Sequence, residues 1–142
     1  YNCWGTENRE AAVRYLIGGP SNPYGANVEV KVIDPSANPY LATATILGLA
    51  QHGIDNGLTL GPEVVVDPAS LSDARRAEGD VVQLSDRQAD NLAALDSSTL
   101  IREILGDQPV DAVLAVRTYE RENFGALDAE QLTERFRMAW SL

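Results

Sequence analysis

Glu29 and Lys31 stand two residues apart in "NVEVKVI" (residues 27–33), where Val28, Val30 and Val32 alternate with them. In an extended strand that spacing puts a carboxylate and an ammonium on one face. The carboxylate could ligate a metal and the ammonium could hold an anion. The commoner use of such a pattern is a solvated face bearing opposite charges. Arg9 and Arg14 are the other cations nearby, and guanidinium forks bind phosphate oxygens in pairs. Five residues apart on one continuous strand, the two would face opposite sides, so they converge only if Arg9 lies in a turn ahead of the strand. Ordinary surface arginines fit the same pattern. The loop beside them, "GGPSNPYG" (residues 18–25), contains neither GxxxxGK[ST] nor GxGxxG, so it is not a nucleotide loop by motif.

His52 reads as a helix-end residue suited to the negative end of the dipole rather than as a metal ligand. Cys3 has no histidine near it in sequence, which argues against a nucleophile. Arg117, Glu120 and Arg121 have helical ion-pair spacing. No complete catalytic set is present.

The elements that must position these residues are legible from periodicity. Residues 8–16 alternate and favour a strand, and the Gly/Pro-rich loop 18–27 then leads to a second strand at 28–33, which suggests an antiparallel pair. Asn38 is a good N-cap with Pro39 at the first helical position. The helix that follows should run to about Gln51 or His52, stop at Gly53, and be buried on several sides because it is apolar or small nearly all round. Residues 57–84 read as irregular, with a short strand in "PEVVVD". From Ser85 the chain reads as helical, with a Ser85/Gln88 capping box, a stop at Gly106, a helix opened by Pro109, and a last helix capped by Asp128 and Gln131. Leu132, Phe136 and Trp140 form the inner face of that last helix. The fold class is α+β: short antiparallel strands over residues 1–33, then a mainly helical part over 38–142.

The 142 residues carry a net charge of −10, with 44% hydrophobic residues. That composition suits a globular domain and excludes a disordered chain. Residues 1–31 hold three acids and three cations and are neutral, so 18 acids and eight arginines in the remainder carry the whole excess. A surface this acidic repels phosphate backbones and argues against nucleic acid as a partner. No apolar run approaches the roughly 20 residues of a membrane helix, and no secretory leader is recognisable. A single cysteine fits a reducing, cytoplasmic setting. The sequence opens on Tyr1 rather than methionine, which fits either a trimmed tag or a piece cut from something longer.

Three segments, "WGTENREAAVR" (residues 4–14), "VEVKVIDPSANPYLATATILGLAQHGID" (28–55) and "LSDRQADNLAALDSSTLIREILG" (84–106), resemble the C-terminal part of the glutamine synthetase family's catalytic domain. The second is the most specific: in the family a strand with E-x-R runs into a "DP-x-A-N-P-Y-L" turn and a buried helix. The segment "AVRTYE" (115–120) looks like the last one the family shares, and the likeness is weakest over 62–82 and after 124. The resemblance implies that the strand lines an active-site funnel with the helix behind it. By it, Glu29 would be a ligand of Mg²⁺ or Mn²⁺. Arg9 would be the catalytic residue, touching glutamate, nucleotide and the transferring phosphoryl group, and Arg14 would bind nucleotide phosphates. Lys31, with Arg9, would hold the substrate carboxylate.

The implied activity is an ATP-dependent glutamate–ammonia ligase working through γ-glutamyl phosphate, in a large homo-oligomer, with this fragment inactive alone. The alternatives are a γ-glutamyl ligase for a larger amine, or a non-catalytic binding module. Two departures from the family pattern bear on that choice. Lys31 puts a point charge where an arginine fork is usual, and Tyr24 stands about where many members carry a lysine near ATP.

Overall fold

The computed structural model describes residues 1–139. The chain divides into two compact units, Tyr1–Pro35 with Gly53–Leu84, and residues 36–52 with the chain from 85 on. The first unit joins the strands to the irregular stretch that follows the first helix.

The first unit is built on a three-stranded sheet of order β1-β2-β3, with β1 at Trp4–Thr6, β2 at Val13–Leu16 and β3 at Asn27–Val30. The antiparallel pair expected from the sequence is β2 and β3, in a register that sets Arg14 opposite Glu29 and Val13 opposite Val30. β3 is shorter than the alternation suggested and ends before Lys31, although the Lys31 N–H still donates to the Ala12 carbonyl at 2.8 Å. Periodicity missed β1, which pairs parallel with β2. Three residues are too few to show alternation, and "WGT" has no apolar partner residue beyond Trp4.

"PEVVVD" forms no strand of its own, but it is tied edgewise to β1. Val64 N–H donates to the Trp4 carbonyl at 3.0 Å, Trp4 Nε1 donates to the Gly61 carbonyl at 2.9 Å, and Thr6 N–H donates to Glu63 Oε1 at 2.7 Å. Gly5 permits this approach, because a Cβ there would collide with the Val64 carbonyl oxygen. Behind the sheet Cys3, Ala11, Val64 and Val81 form a small core flanked by Tyr1 and Leu71. A 3-10 turn at Pro68–Ser70 and the short helix α2 (Asp73–Glu78), capped by Ser72, complete the unit.

The helix α1 spans Pro39–Asp55. Asn38 Oδ1 accepts from the N–H groups of Tyr40 and Leu41, as its N-cap position predicts. The stop comes later than expected. Gly57, not Gly53, has the positive φ (59°), with Leu58 N–H donating to the Gly53 carbonyl and Gly57 N–H to that of Ile54. Those two bonds are the Schellman pattern, which needs a left-handed residue at that point and finds Gly57. Burial on several sides is also corrected. No α1 residue is buried, and Tyr40 (83% exposed), Leu47 (64%) and Ile54 (75%) face outward, because the described residues supply neighbours to one face only.

In the second unit α3 (Gln88–Ser97), α4 (Thr99–Leu105) and α5 (Asp107–Phe124) pack together, and Val110 is its buried centre. Gly48 of α1 lies so close to Ile104 that no Cβ would fit. The expected Ser85/Gln88 capping box is absent: α3 begins after Arg87, and Ser85 Oγ instead accepts from Arg87 N–H and donates to Asp90. Gly106, at φ 83°, ends α4 as expected, but the next helix opens at Asp107, two residues ahead of Pro109. α6 (Ala129–Phe136) carries the full Asp128/Gln131 capping box. Phe136 stacks edge-on against Phe124 at 5.2 Å, and Trp140 lies outside the described residues.

Candidate functional site

Arg14 is the middle of the charged site because β2 is the middle strand. On one flank the register places Gly5, which brings no side chain, and on the other it places Glu29. Arg14 Nη1 donates to Glu29 Oε2 at 3.2 Å, and Nη2 donates to Glu7 Oε2 at 2.7 Å. The arginine side chain is only 12% exposed, while both carboxylates remain about half exposed. The hydrogen bond that Arg14 donates to Glu7 is the largest cause raising Arg14 above the ordinary arginine value; desolvation opposes it and Glu29 adds to it. Arg14 is therefore a fixed cation. Its Nε is buried with no hydrogen-bond partner among the described residues.

Glu7 had no signal in the sequence. Its backbone is left-handed, with φ 54°, in a region non-glycine residues seldom adopt. Three bonds hold it there: its N–H donates to the Tyr15 carbonyl at 2.8 Å, Oε1 accepts from Ile17 N–H at 3.3 Å, and Oε2 accepts from Arg14. A carboxylate seven residues before an arginine has no standard periodicity, and only the reversal between two parallel strands brings the two together.

Arg9 does lie in a turn ahead of β2, which is the condition under which it and Arg14 need not oppose each other. Asn8 builds that turn. Its Nδ2 donates to the carbonyls of Val64 (2.6 Å) and Val66 (3.0 Å), and its Oδ1 accepts from Glu10 N–H. Arg9 and Lys31 are both exposed and have no ion-pair partner among the described residues. Tyr24 is 95% exposed in the loop between β2 and β3. Cys3 is buried, which agrees with its dismissal as a nucleophile.

Among the described residues no three of His, Cys, Asp and Glu gather to hold a metal ion. Glu7 and Glu29 are the two carboxylates at the site, and both are engaged with Arg14. A divalent cation needs about six oxygens, so these residues do not make a metal centre by themselves. Glu29 can offer one carboxylate to a centre whose other ligands come from elsewhere.

A mixed three-stranded sheet that fixes one arginine between carboxylates, in a chain that is otherwise mainly helical, defines an α+β fold with a charged site on its strands. The chain belongs to the glutamine synthetase catalytic-domain family, whose pattern it matches over residues 1–136. It is 36% identical over 96% of its length to the gamma-glutamylpolyamine synthetase GlnA3 of Streptomyces coelicolor, and 34% identical over 96% to the protein fluG of Emericella nidulans. With the glutamine synthetase of Mycolicibacterium smegmatis it shares 31% over 85%. The chain spans 30%, 15% and 27% of those three relatives. No helix among the described residues is long and apolar enough to cross a membrane.

Proposed function

We propose that this chain works as part of an ATP-dependent γ-glutamyl ligase whose nitrogen donor is an amine larger than ammonia. In the proposed reaction the γ-phosphoryl group of ATP passes to the γ-carboxylate oxygen of glutamate. The amine nitrogen then attacks the carbonyl carbon, phosphate leaves, and the nitrogen gives up a proton. Arg9, exposed and without a carboxylate partner among the described residues, suits contact with the phosphoryl group and glutamate in that first step. Arg14, held in place by Glu7 and Glu29, suits the nucleotide phosphates. Lys31 suits the substrate carboxylate as a point charge. Glu29 would serve as one ligand of Mg²⁺ or Mn²⁺, an ion that supplies charge neutralisation on the phosphates when bound.

The observation that carries the larger-amine reading is the 36% identity over 96% of the chain to a gamma-glutamylpolyamine synthetase, against 31% over 85% for a glutamine synthetase. The charge balance supports it. An acidic surface of net −10 draws polycationic amines toward it more strongly than it draws a singly charged ammonium ion. Lys31, in place of the usual arginine, fits a remodelled pocket.

The test is phosphate release by the full-length protein with ATP, Mg²⁺ and glutamate, comparing ammonia with putrescine, spermidine and spermine. Turnover with the polyamines and little with ammonia is the expected result. Turnover with ammonia alone assigns glutamine synthesis instead, and no turnover with any acceptor removes Arg9, Arg14 and Glu29 as a working site.

A further inference from the structure

Glu7 is the feature of the site that neither the strand pattern nor the reaction explains. It occupies a left-handed backbone position with φ 54°, and both of its carboxylate oxygens are used, one on Ile17 N–H and one on Arg14. Its contact with Arg14, at 2.7 Å, is shorter than that of Glu29, at 3.2 Å. Gly5 stands opposite Arg14 in the neighbouring strand and brings no side chain there. A left-handed residue whose N–H and both carboxylate oxygens are engaged is a backbone outlier that points to a function.

We propose that Glu7 is a positioning residue that anchors Arg14 by Nη2, so that Nη1 can leave Glu29 and turn to an anion without the guanidinium losing its place. Two carboxylates on one guanidinium allow one to be exchanged while the other holds. With Glu29 as the sole partner, the anion would compete against the contact that also fixes the side chain. The inference rests on the proposed reading of Arg14 as a nucleotide-phosphate ligand.

The experiment is a double-mutant cycle in the full-length protein with Glu7→Gln, Arg14→Lys and the pair, reading ATP affinity by calorimetry and KM for ATP and glutamate separately. Loss of one charge-assisted anchor should weaken ATP binding about tenfold, with KM for glutamate little changed. In the Arg14→Lys background the same Glu7→Gln change should cost much less, because Glu7 acts through Arg14. Glu7→Gly removes the carboxylate while easing the left-handed backbone, and it gives the same reading if Glu7→Gln does not fold. Unchanged ATP affinity in Glu7→Gln alongside weakened binding in Arg14→Lys overturns the positioning role alone, as do two fully additive losses. An Arg14→Lys variant that binds ATP normally overturns the phosphate reading beneath it, and the inference with it.

Discussion

Replacing Gly5 by alanine tests the join between β1 and the segment after Pro62. An added Cβ would lie 2.8 Å from Asn8 Cβ and collide with the Val64 carbonyl oxygen. That oxygen cannot turn aside, because it accepts from Asn8 Nδ2 at 2.6 Å and belongs to the residue whose N–H donates to Trp4. The segment must therefore retreat from β1. Overpacking of this kind costs about 1–3 kcal/mol, and the Val64–Trp4 bond adds about 1 kcal/mol if it breaks. The lower chain entropy of alanine in the unfolded state returns about 0.5–1 kcal/mol. A net loss of roughly 2–3 kcal/mol should lower the urea midpoint by about 1–2 M, given slopes of about 1–3 kcal/mol/M. With Trp140 replaced by phenylalanine, Trp4 becomes the sole tryptophan, and it bonds to Gly61 in the very segment displaced. Its fluorescence reports the transition. Gly53→Ala is the control: nothing lies within 4 Å of its Cβ position and it is helical, so it should stabilise by about 0.5–1 kcal/mol. A Gly5→Ala midpoint within about 0.3 M of the parent refutes the close approach.

Two further outcomes follow from the same structure. Glu63 is held below the ordinary carboxylate value by hydrogen bonding to Thr6. A lowered folded-state pKa contributes stability that is complete above the unfolded value and lost as pH falls through the folded one. Acid titration by circular dichroism should therefore show the first unit weakening below about pH 4.5, and Glu63→Gln should flatten that part of the curve. Asp128→Ala removes the cap that accepts from Gln131 N–H at 2.9 Å, and should cost about 1 kcal/mol of local stability, read by hydrogen exchange in α6.

What the sequence revealed and what it hid divide along physical lines. Asn38, Gly106 and the Asp128/Gln131 box were readable because caps act over three or four residues, and the helix termini obey them. Ser85 failed as a cap for the same local reason: Asp90 and Arg87 offered its hydroxyl other partners. The α1 face misled because composition reports what a helix can bury, while burial depends on which neighbours the chain supplies. Arg9, Arg14, Glu29 and Lys31 were singled out by residue type and by resemblance, yet the contact between Arg14 and Glu29 is a matter of register. Glu7 and Asn8 entered only with the fold, since their partners lie on other strands or more than fifty residues away.

Exchanging the charges of the cross-strand pair shows why the third charge matters. If Arg14 and Glu29 served only to fasten β2 to β3, the double variant Arg14→Glu with Glu29→Arg would hold the sheet as well as the parent does. Glu7 breaks that symmetry. After the exchange a carboxylate at position 14 sits beside Glu7, which cannot withdraw easily because its N–H and Oε1 remain bound to Tyr15 and Ile17. The two like charges repel across the gap the longer guanidinium spanned, and position 14 is largely covered from solvent, so salt screens them poorly. The double variant should therefore unfold at lower urea than the parent, and adding Glu7→Gln should recover part of the loss by removing the repulsion. A double variant as stable as the parent would mean that Glu7 stands idle beside the pair, and the arginine would then be held by one carboxylate rather than two.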